Sequence, residues 1–460
     1  MTPDDLAQMS REELIQLILR QFEQLTQLKA DYEALRLKFE KGKKPPTNSS
    51  NSSQPPSRDH KRSLPSDRGK RKHGSPAGHP KHERKFVANP DHIVSVKAGS
   101  CVRCQKDLRF VEGVLRDVNQ ITELPPAKAE VIEVRQYEVI CPECRSVHVE
   151  QPPAGLEMER VFGARLEATV VYYRQEQHIS YERTAKALRD LHGVEISQGG
   201  IDKIMQRAGK QAVQEVEPIQ ERVRQSAVIH SDETGSRVDA QNWWEWVFCT
   251  LTAVLHVIRF NRSSDVIQDV MGNHQAEVWV SDCCPAQLKS HTKQRQLCLA
   301  HQIRNLQAVI DLYPTIFWAR ALQAVFRYAI HLHNQRDELP PEQYFAQVER
   351  IERLCDWLVR RSITQPKASR LQRRYQKYRD CLFVCLHRPD VSPTNNVSER
   401  ALRPSVIHRK VIGCFRSGWG ARAYAALASV IDTAELDGSH AFDAIQSLLG
   451  SPSLPLPSGP

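Results

Sequence analysis

Three acidic residues stand where carboxylates from separate elements could meet. Asp232 closes an apolar run at 227–232, Asp282 closes a second apolar run, and Glu399 follows Pro393 where we expect a helix to begin. Carboxylates that converge from two strand ends and a helix can hold two Mg²⁺ ions about 4 Å apart, the arrangement used for in-line displacement at phosphorus. The three residues therefore predict metal-dependent chemistry at phosphodiester bonds, with DNA as the leading substrate.

The segments that carry these residues predict a ribonuclease-H-like α/β domain. Strand, strand, strand, helix and strand follow one another in the order that begins such a mixed sheet. We place these elements at 226–232, 243–252, 254–260, 262–271 and 277–282, with a further strand at 295–300. Asp282 and Glu399 are 117 positions apart, and the helical pattern from about 303 to 380 predicts an all-helical insertion between them.

Each carboxylate also has an ordinary structural interpretation, and neighbouring residues compete for the same role. Strands often end in Asp because its side chain suits turn geometry. Glu233 follows Asp232, but successive strand side chains point in opposite directions, so we do not expect both to bind the same metals. Cys298 and His301 have ligand-like C-x-x-H spacing without a second pair, so His301 is either a polar active-site residue or a hydrogen-bonded structural one. Arg304, one turn later, is a candidate DNA contact.

Two C-x-x-C pairs predict a zinc ribbon at 86–150. Cys101 and Cys104 form the first pair, Cys141 and Cys144 form the second, and 36 residues separate the pairs. Four thiolates suit one tetrahedral Zn²⁺, and a site with four protein ligands has a structural role. The N-terminus lacks the features of a secretory signal, so a reducing cytosol and metal ligation are expected rather than disulfides. Unligated cysteines are the alternative.

A heptad pattern near the N-terminus predicts a coiled coil at 1–40. Its seam alternates at spacings of four and three and consists of Leu14, Ile18, Gln21, Leu25, Leu28, Tyr32, Leu35 and Phe39. Such a seam is buried against another copy of the helix, which predicts a homo-oligomer. A lone amphipathic helix folded onto the rest of the chain is the alternative.

Residues 41–85 form a basic tract with little apolar content. They carry 13 lysines and arginines against three acidic residues, an excess equal to the formal net charge of +10 of the whole chain. Too little apolar surface is available to offset the entropy of ordering, so we expect a disordered linker. Its charge favours DNA phosphates without reading sequence, and a solvated spacer is the alternative.

Residues 151–222 have a helical pattern in which Ser197 can cap the second of two helices. The layout permits a helix-turn-helix with Gln198, Lys203 and Arg207 near a DNA groove. Ordinary helical bundles contain such helix pairs too, so the sequence leaves both a DNA-binding helix-turn-helix and a structural helix pair as interpretations.

A basic helix is expected after Asn395, and with Arg304 it supplies the candidate DNA contacts. These further residues are Arg400, Arg403, Arg409 and Lys410, with His408 beside them. No run approaches the roughly 18 consecutive apolar residues of a membrane span, and the mean hydropathy is −0.51. We therefore expect no membrane association and a cytoplasmic protein that joins the nucleoid when it is bound to DNA.

These features resemble the transposases of the insertion-sequence 66 family, a branch of the DDE transposases. The resemblance covers nearly the whole chain, including the heptads, the basic tract and the two C-x-x-C pairs. Its most specific motifs are Ser231-Asp232-Glu233-Thr234, Cys298-Leu299-Ala300-His301, Asn395-Asn396-Val397-Ser398-Glu399-Arg400-Ala401-Leu402-Arg403-Pro404 and Asp432-Thr433-Ala434-Glu435-Leu436-Asp437-Gly438.

The resemblance implies an enzyme that cuts DNA at element ends and joins the free 3′ hydroxyls to target DNA. Asp232, Asp282 and Glu399 match the residues that hold Mg²⁺ in that family. Its implied partners are double-stranded DNA at element ends and target, further copies of the chain, and accessory proteins that such elements can encode. Two other classes remain: a host-adapted, catalytically silent DNA-binding protein, and a ribonuclease-H-fold nuclease without strand transfer.

The sequence thus predicts eight segments. They are a coiled coil (1–40), a disordered basic linker (41–85), a zinc-binding ribbon (86–150), a helical DNA-binding-like domain (151–222), the first part of the catalytic domain (223–310), a helical insertion (311–391), the last part of the catalytic domain (392–438) and a C-terminal tail (439–460).

Overall fold

The computed structural model describes residues 20–21, 23–29, 31–32, 85–124, 127, 129–153 and 155–450. These residues fall into two compact units, of which the larger contains 132–186 and 195–450 and the smaller contains 85–131 and 187–194. Nearly all of the predicted basic linker, the end of the predicted tail and most of the predicted coiled coil lie outside the described residues. Within the coiled-coil segment, the described residues from 20 to 32 are helical and exposed.

The region of the C-x-x-C pairs has little regular structure. Strands β1 (Glu138–Ile140) and β2 (Val147–Val149) form an antiparallel pair on either side of the second C-x-x-C turn. No described residue from 85 to 153 is buried, so this region has no hydrophobic core of its own.

Three helices follow: α1 (Ala164–Gln175), α2 (Tyr181–His192) and α3 (Gln198–Arg224). The Ser197 side chain accepts a hydrogen bond from the Gly200 N–H and so caps α3, as the sequence predicts. Helix α3 is 27 residues long, far longer than the expected recognition helix.

A five-stranded mixed sheet forms the centre of the larger unit. Its strands are β3 (Val228–Val238), β4 (Gln241–Cys249), β5 (Val254–Arg259), β6 (Ala276–Ser281) and β7 (Thr292–Leu297), with helix α4 (Asp265–Met271) between β5 and β6. The order across the sheet is β5-β4-β3-β6-β7. β3, β4 and β5 are antiparallel, whereas β3, β6 and β7 are parallel. The predicted order of elements and the mixed α/β class are confirmed, and they are compatible with a ribonuclease-H-like core.

Two boundaries in the sheet differ from the sequence prediction. β3 continues to Val238 rather than ending at Asp232, because a hairpin pairs all of it from His230 onward with β4. The last strand ends at Leu297, and a helix begins at Leu299. The C-x-x-H segment therefore lies at the start of a helix instead of inside a strand.

After β7, the chain up to the third carboxylate is helical apart from turns and short connecting segments. It consists of α5 (Leu299–Leu312), α6 (Phe317–Asn334), α7 (Pro341–Arg360), α8 (Pro366–Lys377) and the short α9 (Val384–His387). Two of them start with proline, which suits the first helical position because its missing N–H needs no partner there. One hydrophobic cluster joins these helices to Val278 and Val280 of β6.

Three helices complete the described chain: α10 (Asn396–Ile412), α11 (Gly418–Leu436) and α12 (Ala441–Leu448). Successive side chains of β4 point to opposite faces of the sheet. Trp246 and Phe248 pack with α3 and α4 on one face, and Val247 packs with Leu402 of α10 on the other. Helix α11 crosses α3 so closely that a Cβ on Gly209 would lie 2.6 Å from Ala423. The second helix of the predicted helix-turn-helix, α3, is thus packed against α11 within the larger unit. In the described residues, no helix is long and apolar enough to span a membrane.

Candidate active site

Asp232 and Asp282 lie at the same level of two neighbouring parallel strands. The ladder between β3 and β6 pairs His230 with Val280. Asp232 lies two residues further along β3, and Asp282 directly follows Ser281, the last residue of β6. Carboxyl ends of parallel strands meet at one edge of a sheet, which is where both side chains come together. β3 runs past this point only because it has a second, antiparallel neighbour in β4.

Glu399 reaches the same edge from the first turn of α10. Asn395, the residue before that helix, is fully buried, and its side-chain amide donates to the Ser231 carbonyl at 2.8 Å. The Asn395 side-chain oxygen accepts from the Ser398 hydroxyl at 3.1 Å. The backbone N–H of Asn395 donates to the Cys298 sulfur at 3.2 Å. Asn395 therefore attaches the helix of Glu399 to the residue that precedes Asp232.

The carboxylates at this edge repel one another. Burial raises the pKa of Asp232 well above its usual range, and the negative charges of Asp282, Glu233 and Glu399 raise it further. Burial also raises the pKa of Asp282, again with a contribution from Glu233. Grouped carboxylates with this much mutual repulsion are stabilised by cations, so the site has the electrostatic character of a metal site.

Each of the three carboxylates keeps one oxygen available. Asp232 accepts from the Glu233 N–H at 2.9 Å and Asp282 from the Cys284 N–H at 2.7 Å, each through Oδ1. Glu399 accepts from the Arg304 guanidinium through Oε1 at 3.0 Å. Among the described residues, the second oxygen of each has no hydrogen-bond partner. Hard divalent cations bind such oxygens.

A tighter group of possible ligands surrounds Glu399. One ligand atom from each of Cys298, His301 and Glu399 lies within 4.8 Å of the others, and this is the sole group of that kind among the described residues. The ligand atoms of Asp232, Asp282 and Glu399 are therefore further apart than those of this group. The Nδ1 of His301 is 3.5 Å from the Glu399 carboxylate. Burial and the charge of Arg304 lower the pKa of His301 to about 4, so its ring is neutral.

The Glu233 carboxylate acts electrostatically on Asp282 and is itself held by the side chains of Arg262 and Gln287. This carboxylate, 1% exposed, receives two hydrogen bonds from Arg262, at 2.7 and 3.0 Å. Gln287 donates to its other oxygen at 2.8 Å. Gln287 also contacts Ser231 and accepts from the Trp279 indole, so it ties β3 to β6 beside the two aspartates.

Sequence reasoning did not identify the roles of Gln287, Arg262 or Asn395. Asn395 begins the motif at 395–404 and directly precedes a predicted helix start, where Asn is a common N-cap residue. Gln287 and Arg262 gave no local signal, because their partners lie 54 and 29 residues away along the chain.

The predicted DNA contacts are distributed unequally. Arg400, Arg403 and Lys410 are exposed on α10, and Arg409 is partly exposed. His408 of the same helix is instead buried and stacked on Tyr424 with ring centroids 4.2 Å apart, and burial lowers its pKa to about 3. Arg304 is engaged with Glu399.

Two late carboxylates lie outside the group around Asp232. Asp432 of α11 accepts from His256 at 2.9 Å, and Glu245 contacts the other nitrogen of the same ring at 3.1 Å. Burial opposes a charge on His256, but hydrogen bonds to Asp432 and Glu245 outweigh it and raise its pKa to about 10. Asp432 is therefore occupied by a buried ion pair. Glu435 is exposed near the end of α11.

The two C-x-x-C turns have the same backbone geometry. In the first, the Cys101 N–H donates to Lys106 and the Gln105 N–H donates back to Cys101; in the second, Cys141, Ser146 and Arg145 repeat both bonds. Gln105 and Arg145, the residues after each pair, both have positive φ, at 62° and 60°.

The thiols of these turns are suited to metal binding. Hydrogen bonds from the Cys104 and Arg103 backbone lower the pKa of Cys101, and the Ser146 hydroxyl and backbone lower that of Cys144 to about 7. All 12 cysteines of the chain are free of disulfides.

The five-stranded mixed sheet, with carboxylates at its edge and helices inserted after it, is compatible with a ribonuclease-H-like core. The family model described as Transposase IS66 family matches residues 159–423, more than half of the chain, and the chain belongs to this family. No curated protein matches it.

Proposed function

We propose that this protein is a transposase that cuts DNA at the ends of its element and joins those ends to target DNA by a two-metal mechanism. The observation that carries the proposal is the convergence of Asp232 and Asp282 from in-register strands with Glu399 from a helix attached to the same strand by Asn395.

Two Mg²⁺ ions fit these residues because each carboxylate keeps a free oxygen, and because neither Asp232 nor Asp282 has an ion-pair partner among the described residues. Asp232, Asp282 and Glu399 would hold them, and bound Mg²⁺ supplies an activated oxygen nucleophile and stabilises charge on the departing oxygen. Asn395 and Gln287 keep the carboxylates in place, and Glu233 with Arg262 closes the side of the site next to Asp282. Arg304 pairs with Glu399 and neutralises its charge in this structure, and a bound cation would neutralise it in place of Arg304.

DNA is the substrate in this proposal, and α10 presents part of the surface for it. Arg400, Arg403 and Lys410 are exposed on the helix that begins with Glu399. Cations beside the metals can bind phosphates on either side of the reacting bond. Arg409, partly exposed, lies close to Gly235 of β3 and belongs to the same surface.

One Zn²⁺ would be held by Cys101, Cys104, Cys141 and Cys144 with a structural role. Matching turn geometry and lowered thiol pKa values support this assignment, as does the absence of buried residues among those described from 85 to 153. A region without a core needs another source of stability, and thiolate–zinc bonds provide it.

The protein would act as a homo-oligomer in the cytoplasm, associated with the nucleoid. Leu25, Leu28 and Tyr32 of the expected coiled-coil seam are each more than 60% exposed in the single chain, which supports burial against another copy. Accessory proteins of the same element remain a further partner class.

Replacement of Glu399 by Gln tests the proposal. The variant keeps shape and the contact with Arg304 but removes the charge that would hold a cation. We expect a loss of Mg²⁺-dependent cleavage and joining of roughly 10²-fold or more, with folding and DNA binding near wild type. Glu435→Gln, on the exposed end of α11, is the matched control and should keep most activity. The substrate is a plasmid that carries the gene with its flanking DNA.

The products separate the proposal from its alternatives. Joined products identify a transposase, cut but unjoined DNA identifies a nuclease, and binding without cleavage identifies a silent DNA-binding protein. Cleavage by Glu399→Gln at the wild-type rate would show that the assigned triad is wrong.

A further inference from the structure

A basic groove lies between α5 and α8 of the helical insertion, outside the carboxylate site. It encloses about 350 Å³. Its apolar side is formed by Ala308, Val309 and Leu312 of α5, and its cationic side by Lys367, Arg370 and Arg374 of α8. The groove was not foreseen from the sequence, where this stretch was an undivided helical insertion.

The charge of α8 is unusually one-sided. Its 12 residues include five lysines and arginines and no acidic residue. Lys367, Arg370 and Arg374 follow one another at spacings of three and four, which places them on one face over roughly 10 Å of helix. Within the described part of the chain, none of the three has a carboxylate at ion-pair distance. A row of unpaired cations on one face is an attractive surface for a polyanion.

The inner end of the groove is connected to the carboxylate site by two contacts. Arg374 donates to the Gln302 side-chain oxygen at 3.0 Å, and the Gln302 amide lies 3.5 Å from the sulfur of Cys283, the residue after Asp282. The Nε–H of Arg374 is buried and lacks a hydrogen-bond partner among the described residues. Arg374 lines the groove, and a guanidinium with an unsatisfied donor is stabilised by an anionic oxygen.

We propose that this groove binds the sugar–phosphate backbone of DNA next to the phosphodiester bond that reacts at Asp282. The helical insertion would then fix the path of one DNA strand into the carboxylate site. The inference rests on the proposed function, since it names where the substrate of that site lies. Phosphates contact Lys367, Arg370 and Arg374, and the apolar side of the groove packs against the sugars. Such contacts orient DNA without reading its sequence.

Neutralising the two outer cations tests the groove. The variant Lys367→Gln/Arg370→Gln is compared with wild type for binding of a mixed-sequence DNA duplex, by fluorescence anisotropy over a range of salt concentrations. Two lost phosphate contacts should reduce the slope of log affinity against log salt by about two and weaken binding by roughly tenfold. Arg373→Gln is the matched control, because Arg373 is an exposed arginine of the same helix that does not line the groove. Thermal unfolding of each variant confirms that the fold is intact.

The outcomes are distinct. Unchanged affinity and salt slope in the double variant would reject DNA binding by the groove. An equal loss of affinity in Arg373→Gln would reject it too, because that result would mean a diffuse effect of charge. Wild-type protein that neither binds nor cuts DNA would instead reject the proposed function. If Glu399→Gln still cuts DNA while the double variant loses affinity, the triad assignment fails and the groove stands.

Discussion

The side-chain amide of Asn395 donates to the backbone carbonyl of Ser231 at 2.8 Å, across 164 positions of sequence. This bond joins the start of the helix that carries Glu399 to the strand that carries Asp232. The insertion lies between these two parts of the chain, so nothing local keeps them together. The buried Asn395 amide therefore fixes the start of α10 on β3, in addition to the apolar packing of α10 against β4.

Replacement of Asn395 by Ala should disturb the metal site before it disturbs DNA binding. The buried carbonyl of Ser231 would lose its partner and the start of α10 would be free to move, at a cost of about 1–3 kcal/mol in stability. We expect cleavage to fall roughly 10- to 100-fold and the Mg²⁺ concentration for half-maximal cleavage to rise. Unfolding by denaturant and Mg²⁺ titration of cleavage measure the two effects.

Asn396→Ala is the control for that variant, because Asn396 is the next residue, is exposed and makes no comparable contact. An equal Mg²⁺ requirement in the two variants would remove the positioning role from Asn395.

The buried ion pairs of His256 should make stability fall at alkaline pH. The folded-state pKa of His256 is about 10, above the value near 6.5 of an unfolded chain. Its contribution is therefore fully present below about pH 6.5 and is lost as pH rises toward 10. Denaturant unfolding of wild type between pH 6 and pH 10 measures this loss.

His256→Gln should be destabilised by about 3–5 kcal/mol at neutral pH, because the buried Glu245 and the partly exposed Asp432 would lose their cation. Its stability should also decline less steeply between neutral and alkaline pH than that of wild type. Parallel pH profiles for the two proteins would show that His256 is not charged in the folded state.

Removal of zinc should affect the C-x-x-C region alone. The region from 85 to 153 has no buried residue among those described, so we expect metal binding and folding to be coupled there. We expect one Zn²⁺ per chain and, after chelation, faster amide exchange in residues 86–150 while the sheet stays protected. Metal analysis and hydrogen exchange give both results.

Cys141→Ser should lose the zinc, and Cys414→Ser, outside both pairs, should retain it. Full zinc content in Cys141→Ser would contradict the assignment.

Local patterns determined much of this protein. Apolar runs placed the strands near Asp232 and Asp282, Ser197 marked the start of α3, and the segment after Pro393 marked the start of α10. The period of side-chain burial and the chemistry of helix starts are properties of a few neighbouring residues. They can be recognised without any knowledge of what lies across the fold.

Only the tertiary structure decided which side chains meet. β3 extends past Asp232 because β4 pairs with it, Gln287 holds Glu233 across 54 positions, and Arg374 meets Gln302 across 72. A polar residue has the same local signal whether its partner is water, DNA or a buried carboxylate. Its role is set by burial and by partners far along the chain, and these exist only once the sheet and its helices have packed.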